Sequence, residues 1–71
     1  MMKTGDKIRT IGYFEGIEGV VKEVFVGHDI EDHGGITIEV TKVTEKYNYL
    51  KPGDEEHFVH FGWEEHLEVI K

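Results

Sequence analysis

Five histidines and fifteen carboxylates in a 71-residue chain are where metal or acid–base chemistry would have to begin. The densest run is "HDIEDH", which places His28, Asp29, Glu31, Asp32 and His33 within six residues. Imidazole and carboxylate ligands together suit several divalent ions. The run follows no fixed ligand spacing, however, and reads equally well as a solvated acidic loop. His57 and His60 stand three apart, which on a strand puts them on opposite faces and denies them a shared ion. His60 and His66 could meet only if the last two strands pair. The expectation is no resident metal and no cofactor, with the histidines gaining charge near about pH 6 to 7.

Covalent catalysis has little to work with. The chain contains neither Cys nor Ser, so the hydroxyl nucleophiles reduce to Thr4, Thr10, Thr37, Thr41, Thr44 and the tyrosines. The acid pairs Glu55–Glu56 and Glu64–Glu65 could do proton transfer only inside a cleft that raises one pKa. A chain this short has little room for a deep cleft beside a core. No enzyme activity is expected. The zero cysteine count also removes disulfides and thiolate metal sites, and a reducing cytosol is the simplest setting.

Aromatic side chains offer a different chemistry, that of an interface. Tyr13 and Phe14 follow the first apolar run, Tyr47 and Tyr49 lie in a long polar stretch, and Trp63 precedes the last apolar run. Tyr and Trp give large contact areas for little entropy and dominate many interfaces. The acids Asp54, Glu55 and Glu56 lie close behind in the chain. Nucleic-acid chemistry would instead use Lys7, Arg9 and Lys22, in the N-terminal third. Against it stands a net charge of −7, which repels polyanions over about 8 Å in physiological salt.

The elements that must position these groups are short and β-rich. No window carries apolar residues at helical spacing, and the nine glycines punctuate Val- and Ile-rich runs. Strands are predicted over residues 6–11, 16–27, 36–43, 57–61 and 66–70. Gly19 in the second marks a bulge or bend. Between them fall a polar loop at 28–35 and a long loop at 44–56. In the latter Pro52-Gly53 suits the centre of a type II turn. "GWEE" allows a single 3-10 turn before the last strand. The expected core is Ile8, Val20, Val24, Ile36, Ile38, Val40, Leu67 and Val69. Val59 and Phe61 should join it from the fourth strand, with Phe58 pointing away. The longest apolar run here is far shorter than the ~20 residues of a membrane span. The first ten residues lack the apolar stretch of a secretory leader. The chain is therefore expected to stay in the cytoplasm as a monomer.

Residues 1–71 thus read as a single all-β domain, a five-stranded barrel of SH3-like type. The stretch "GDKIRTIGYFEGIEGVVKEV" resembles the KOW module of ribosomal proteins and elongation factors. Gly5, Asp6 and Ile8 match its "GDxVxV" strand, and Gly12, Phe14, Gly16, Gly19, Val21 and Val24 match its "GxFxGxxGxVxxV" turn and strand. The closing "EEHLEVI" is similar to its last strand, while residues 25–58 match nothing specific. The resemblance implies the barrel and a nucleic-acid surface, but Glu15, Glu18 and Glu23 stand where a binder offers Lys or Arg. Size, composition and ending are also similar to the YorP family of SH3-like proteins from Bacillus prophage. That likeness implies a phage accessory protein and carries over no site residues.

In SH3-like folds the aromatic-bearing loops crowd one rim. The expectation is an interaction module whose Tyr13, Tyr47 and Tyr49, with Asp54, Glu55 and Glu56, bind a basic protein or peptide, proline-containing or methylated. Phe14 and Trp63 are assigned instead to capping the barrel ends. Removing Tyr47 or Tyr49 should then abolish partner capture without lowering stability. The alternative is nucleic-acid binding through Lys7, Arg9 and Lys22, or competition for the nucleic-acid site of a host factor.

Overall fold

Alternation of apolar and polar residues drives the strands of this computed structural model, which describes residues 2–27, 34–59 and 62–70. In β1 (Lys7–Thr10), Ile8 and Thr10 are buried while Lys7 and Arg9 face water. In β3 (Gly35–Val43), Ile36, Ile38 and Val40 point into the core, and Thr37 and Glu39 occupy the other face. β2 (Ile17–Phe25), β4 (Glu55–Phe58) and β5 (Leu67–Val69) complete one antiparallel sheet in the order β4-β3-β2-β1-β5. The protein is all-β, and its helical segments among the described residues are single 3-10 turns at Gly12–Phe14, Glu45–Tyr47 and Trp63–His66. The last of these lies where "GWEE" predicts it. The sheet is not closed into a barrel: β4 and β5 form its two edges. Among the described residues no helix is long and apolar enough to cross a membrane.

β2 is where face assignment from sequence goes astray. Ile17, Gly19 and Val21 are inward, and the pairing with β3 then slips between Val21 and Glu23. One extra residue, Lys22, shifts the phase, so that Val24 again faces inward opposite Ile36. Uninterrupted alternation would place Val20 and Val24 on one face; the bulge separates them. Val21 is therefore in the core at 1% exposure, and Val20 is only half-buried. A second slip falls at Glu18/Gly19, as the sequence predicts for Gly19. There a Cβ would lie 2.5 Å from the Glu39 carbonyl oxygen, so only a bare backbone fits.

β4 begins two residues earlier than expected, and its register corrects the inward side chains. Phe58 pairs with Ile36 and Glu56 with Ile38, which turns both toward the interior. Phe58 is buried, whereas Val59 is 59% exposed. Phe61 and His60 lie outside the described residues. The connections also supply core: Tyr47, Leu50 and Trp63 are buried with Ile8, Ile17, Val21, Ile36, Ile38, Val40, Phe58 and Leu67. Val24 and Val69, expected as full core members, pack at its margin. The turn over Pro52-Gly53 has Gly53 at φ +98° and closes with Asp54 N donating to Lys51 O at 3.0 Å.

Where β1 ends, a side chain continues the ladder. Thr10 is 2% exposed; its Oγ1 accepts from Ile17 N at 3.0 Å and donates to Ile17 O at 3.3 Å. This pair pins the base of the connection carrying Tyr13 and Phe14. Thr10→Val keeps the shape but strands a buried N–H and a buried C=O. It should lower the unfolding free energy by about 1 to 3 kcal/mol in urea denaturation. A loss below about 0.5 kcal/mol, smaller than one net hydrogen bond, would mean the pair is not holding the loop.

Candidate functional site

Two connections lie against each other because their backbones bond. Ile11 N donates to His66 O at 2.8 Å as the chain leaves β1, and Glu15 N closes the Gly12–Phe14 turn on Gly12 O at 3.1 Å. After β3, Thr44 N donates to Gly16 O at 2.9 Å, tying the second connection to the first. Tyr47 N to Thr44 O at 3.0 Å and Leu50 N to Tyr47 O at 2.9 Å then wind the chain through Tyr49. Leu50 and Tyr47, both buried, anchor this segment to the core.

Between these connections and β4 runs a groove of about 520 Å³. Tyr13 and Phe14 come from the first connection, Lys46, Tyr47 and Tyr49 from the second, and Glu56, His57 and Phe58 from β4. The predicted tyrosines are therefore brought together, with one predicted acid, Glu56. They are not equivalent: Tyr13 and Tyr49 are 78% and 72% exposed, while Tyr47 is 9% exposed. Phe14 is half-buried and meets Phe58 and His66 edge-to-face, with ring centroids 6.3 and 4.9 Å apart. Tyr13 leans edge-on against Phe14 at 5.0 Å, and the Tyr47 and Tyr49 rings lie 6.1 Å apart.

A residue that sequence reasoning passed over occupies this space. The Lys46 ammonium lies 5.5 Å from the centre of the Tyr13 ring and 5.4 Å from that of Tyr47. It donates to the Tyr13 carbonyl at 2.6 Å. The only signal for it in the sequence is "EKYNY", a lysine beside a tyrosine in a loop, which points nowhere by itself. Burial pushes the Tyr47 hydroxyl pKa above its usual 10, with Tyr13 and the Glu56 charge adding to the shift. Tyr47 therefore stays a neutral ring with a polar tip under physiological conditions. His57 is held by Thr37, Oγ1 to Nδ1 at 2.8 Å.

Asp54 and Glu55 do not join the groove. Asp54 caps its turn, with Oδ2 accepting from Lys51 N at 3.1 Å. Glu55 pairs with Glu39 on the opposite face of the sheet from Phe58. The metal candidates His28, Asp29, Glu31, Asp32 and His33 lie outside the described residues. Among those described, no three His, Asp or Glu side chains converge as a metal site.

Lys7, Arg9 and Lys22, the nucleic-acid alternative, are exposed on the outer surface of the sheet. The strand registers there build a row that alternates in sign, Glu68–Arg9–Glu18–Lys42, across four strands. Arg9 Nη2 meets Glu68 Oε1 at 2.8 Å, and Lys22 Nζ meets Glu39 Oε1 at 3.5 Å. The hydrogen bond that Arg9 donates to Glu68, and then the Glu68 charge, raise the Arg9 pKa above its usual value. At Arg9 and Lys22 a phosphate would have to compete with carboxylates already beside the cation.

Compared with known proteins, the chain matches no family model, no curated sequence and no solved structure.

Proposed function

We propose that this protein is a non-enzymatic interaction module whose groove, bounded by Tyr13, Tyr47, Tyr49 and Glu56, receives a basic segment of a protein partner. The observation that carries the reading is the position of Lys46: the rings are spaced so that a cation sits against two of them. Ring faces attract cations through their quadrupole, and exposed tyrosines supply contact area without a folding role. The five-stranded antiparallel sheet with a 3-10 turn before its last strand supports an SH3-like arrangement. With the YorP-like composition, we read it as a phage-derived accessory protein acting in the host cytoplasm as a monomer.

The test uses the exposed tyrosines. Tyr13→Ala and Tyr49→Ala should each weaken binding of a lysine- and arginine-rich peptide at least about 5-fold, the range of an interface hot spot. Their thermal midpoints should stay at the parent value. Partner capture from a bacterial lysate should survive nuclease treatment. Capture that disappears with nuclease, or peptide binding indifferent to both substitutions, overturns the proposal. The first of those outcomes, with affinity falling steeply as salt rises, would transfer the function to Lys7, Arg9 and Lys22.

A further inference from the structure

The Lys46 ammonium is unusual in a chain of fifteen acids because it turns to ring faces. Among the described residues, Arg9 and Lys22 pair with carboxylates; Lys46, like Lys3, Lys7, Lys42 and Lys51, does not, and it alone of these lies over aromatic rings. Its hydrogen-bond acceptor is a neutral carbonyl, that of Tyr13, at 2.6 Å. Lys46 is itself exposed, so the contacts holding it are those of an exposed cation and are weak. The groove is larger than one ammonium requires; about 520 Å³ has room for more than one side chain. Tyr49, 6.1 Å from Tyr47, brings a third ring alongside.

We infer that Tyr13 and Tyr47 form a slot for one aliphatic cation, that Lys46 fills it in the free protein, and that a lysine side chain of the basic partner takes its place. This rests on the groove being the peptide site. The chemistry is an exchange of like for like. Lys46 swings out on its four-carbon stem into water, the incoming ammonium meets the same two faces, and the Tyr13 carbonyl takes a new donor. Net attraction between a basic segment and a chain of net charge −7 favours the exchange. Lys46 therefore acts as a built-in competitor that sets how basic a segment must be to enter.

The test compares the parent with Lys46→Met, which keeps the stem and removes the charge. Tetralysine and uncharged tetraproline serve as probes, followed by NMR of the Tyr13 and Tyr47 ring protons. Losing a competitor held by two exposed faces should tighten tetralysine binding about 5- to 30-fold. Tetraproline affinity should not change. Lys46→Gln, with a different stem, should behave like Lys46→Met. If both variants keep their thermal midpoint yet bind tetralysine no better than the parent, or worse, Lys46 is a brace between the two connections and the slot proposal fails. Ring shifts with tetraproline but none with tetralysine would remove the slot and leave the groove as a peptide site. Silence from both probes would remove both.

Discussion

Tyr47→Ala lowers the unfolding free energy by about 3 to 5 kcal/mol, the usual cost of truncating a buried aromatic side chain. A domain of 71 residues has only about 4 to 10 kcal/mol to lose, so the variant should be marginal at 25 °C. The reason is its position. Tyr47 is 9% exposed, its ring lies against the Gly16 backbone, and it closes the core with Leu50 and Phe58. Urea denaturation followed by far-UV circular dichroism reads the effect directly. Tyr47→Phe serves as the control, since it keeps the ring and removes a hydroxyl. It should cost less than about 1.5 kcal/mol, the scale of one net hydrogen bond. A Tyr47→Ala loss below about 1 kcal/mol would place the residue outside the core. The result also changes how the groove must be tested. The expectation that Tyr47 and Tyr49 could both be removed without cost fails at buried Tyr47 and is kept as a prediction for Tyr49, at 72% exposure. Loss of partner binding in Tyr47→Ala would report unfolding as readily as a missing contact.

That asymmetry among the tyrosines shows where sequence reading stops. The strands were legible because their period is local: Ile36, Ile38 and Val40 alternate with Thr37, Glu39 and Thr41, and the structure keeps that alternation through Val40. Gly19 was legible as a bulge because a glycine inside a Val-rich strand has few other uses. The bulge at Lys22 was not, since a lysine in a strand carries no such mark, and its phase shift exchanged Val20 for Val21 in the core. Phe58 and Val59 were misassigned for a related reason. β4 is only four residues long, and its faces are set by the register with β3, Ile36 opposite Phe58. Register is a tertiary property that five residues of "HFVHF" do not encode.

The site divides along the same line. Tyr13, Tyr47, Tyr49 and Glu56 come together as expected, because two loops flanking one sheet end must lie near each other. Asp54 and Glu55 followed them in the chain and not in space: the turn consumes Asp54, and Glu55, at the start of β4 opposite Glu39, lies short of the groove that Glu56, His57 and Phe58 line. Lys46 was invisible because its role depends on Tyr13, 33 positions away. The outer surface was also invisible as a unit. Each of Lys7, Arg9 and Lys22 reads as a possible phosphate contact in one dimension. Only the pairing of three strands places Glu18 and Glu68 on either side of Arg9.

Gly16→Ala should cost about 2 to 4 kcal/mol, and it links the fold to the groove. Gly16 has φ +134°, a backbone conformation that L side chains rarely adopt. A methyl group there would also lie 2.7 Å from Thr44 Oγ1 and 3.0 Å from Tyr47 Cδ2. Strain and overpacking therefore act together, and the relief available is to push the Tyr47 ring out of place. Gly12→Ala separates the two terms. Its φ is +65° with nothing within 4 Å of the added carbon, so it should cost only about 1 to 2 kcal/mol of backbone strain. Urea denaturation orders the two variants, and the ring protons of Tyr47 report the displacement in Gly16→Ala at temperatures where it remains folded. If the variants lose equal stability and the Tyr47 resonances stay at their parent positions, Gly16 serves the turn alone. If Gly16→Ala costs more and moves the ring, the glycine of "FEGIEG" is there to leave room for a core tyrosine against the chain. The cation slot then depends on Gly16, because the ring it leaves room for is the one that lies 5.4 Å from the Lys46 ammonium.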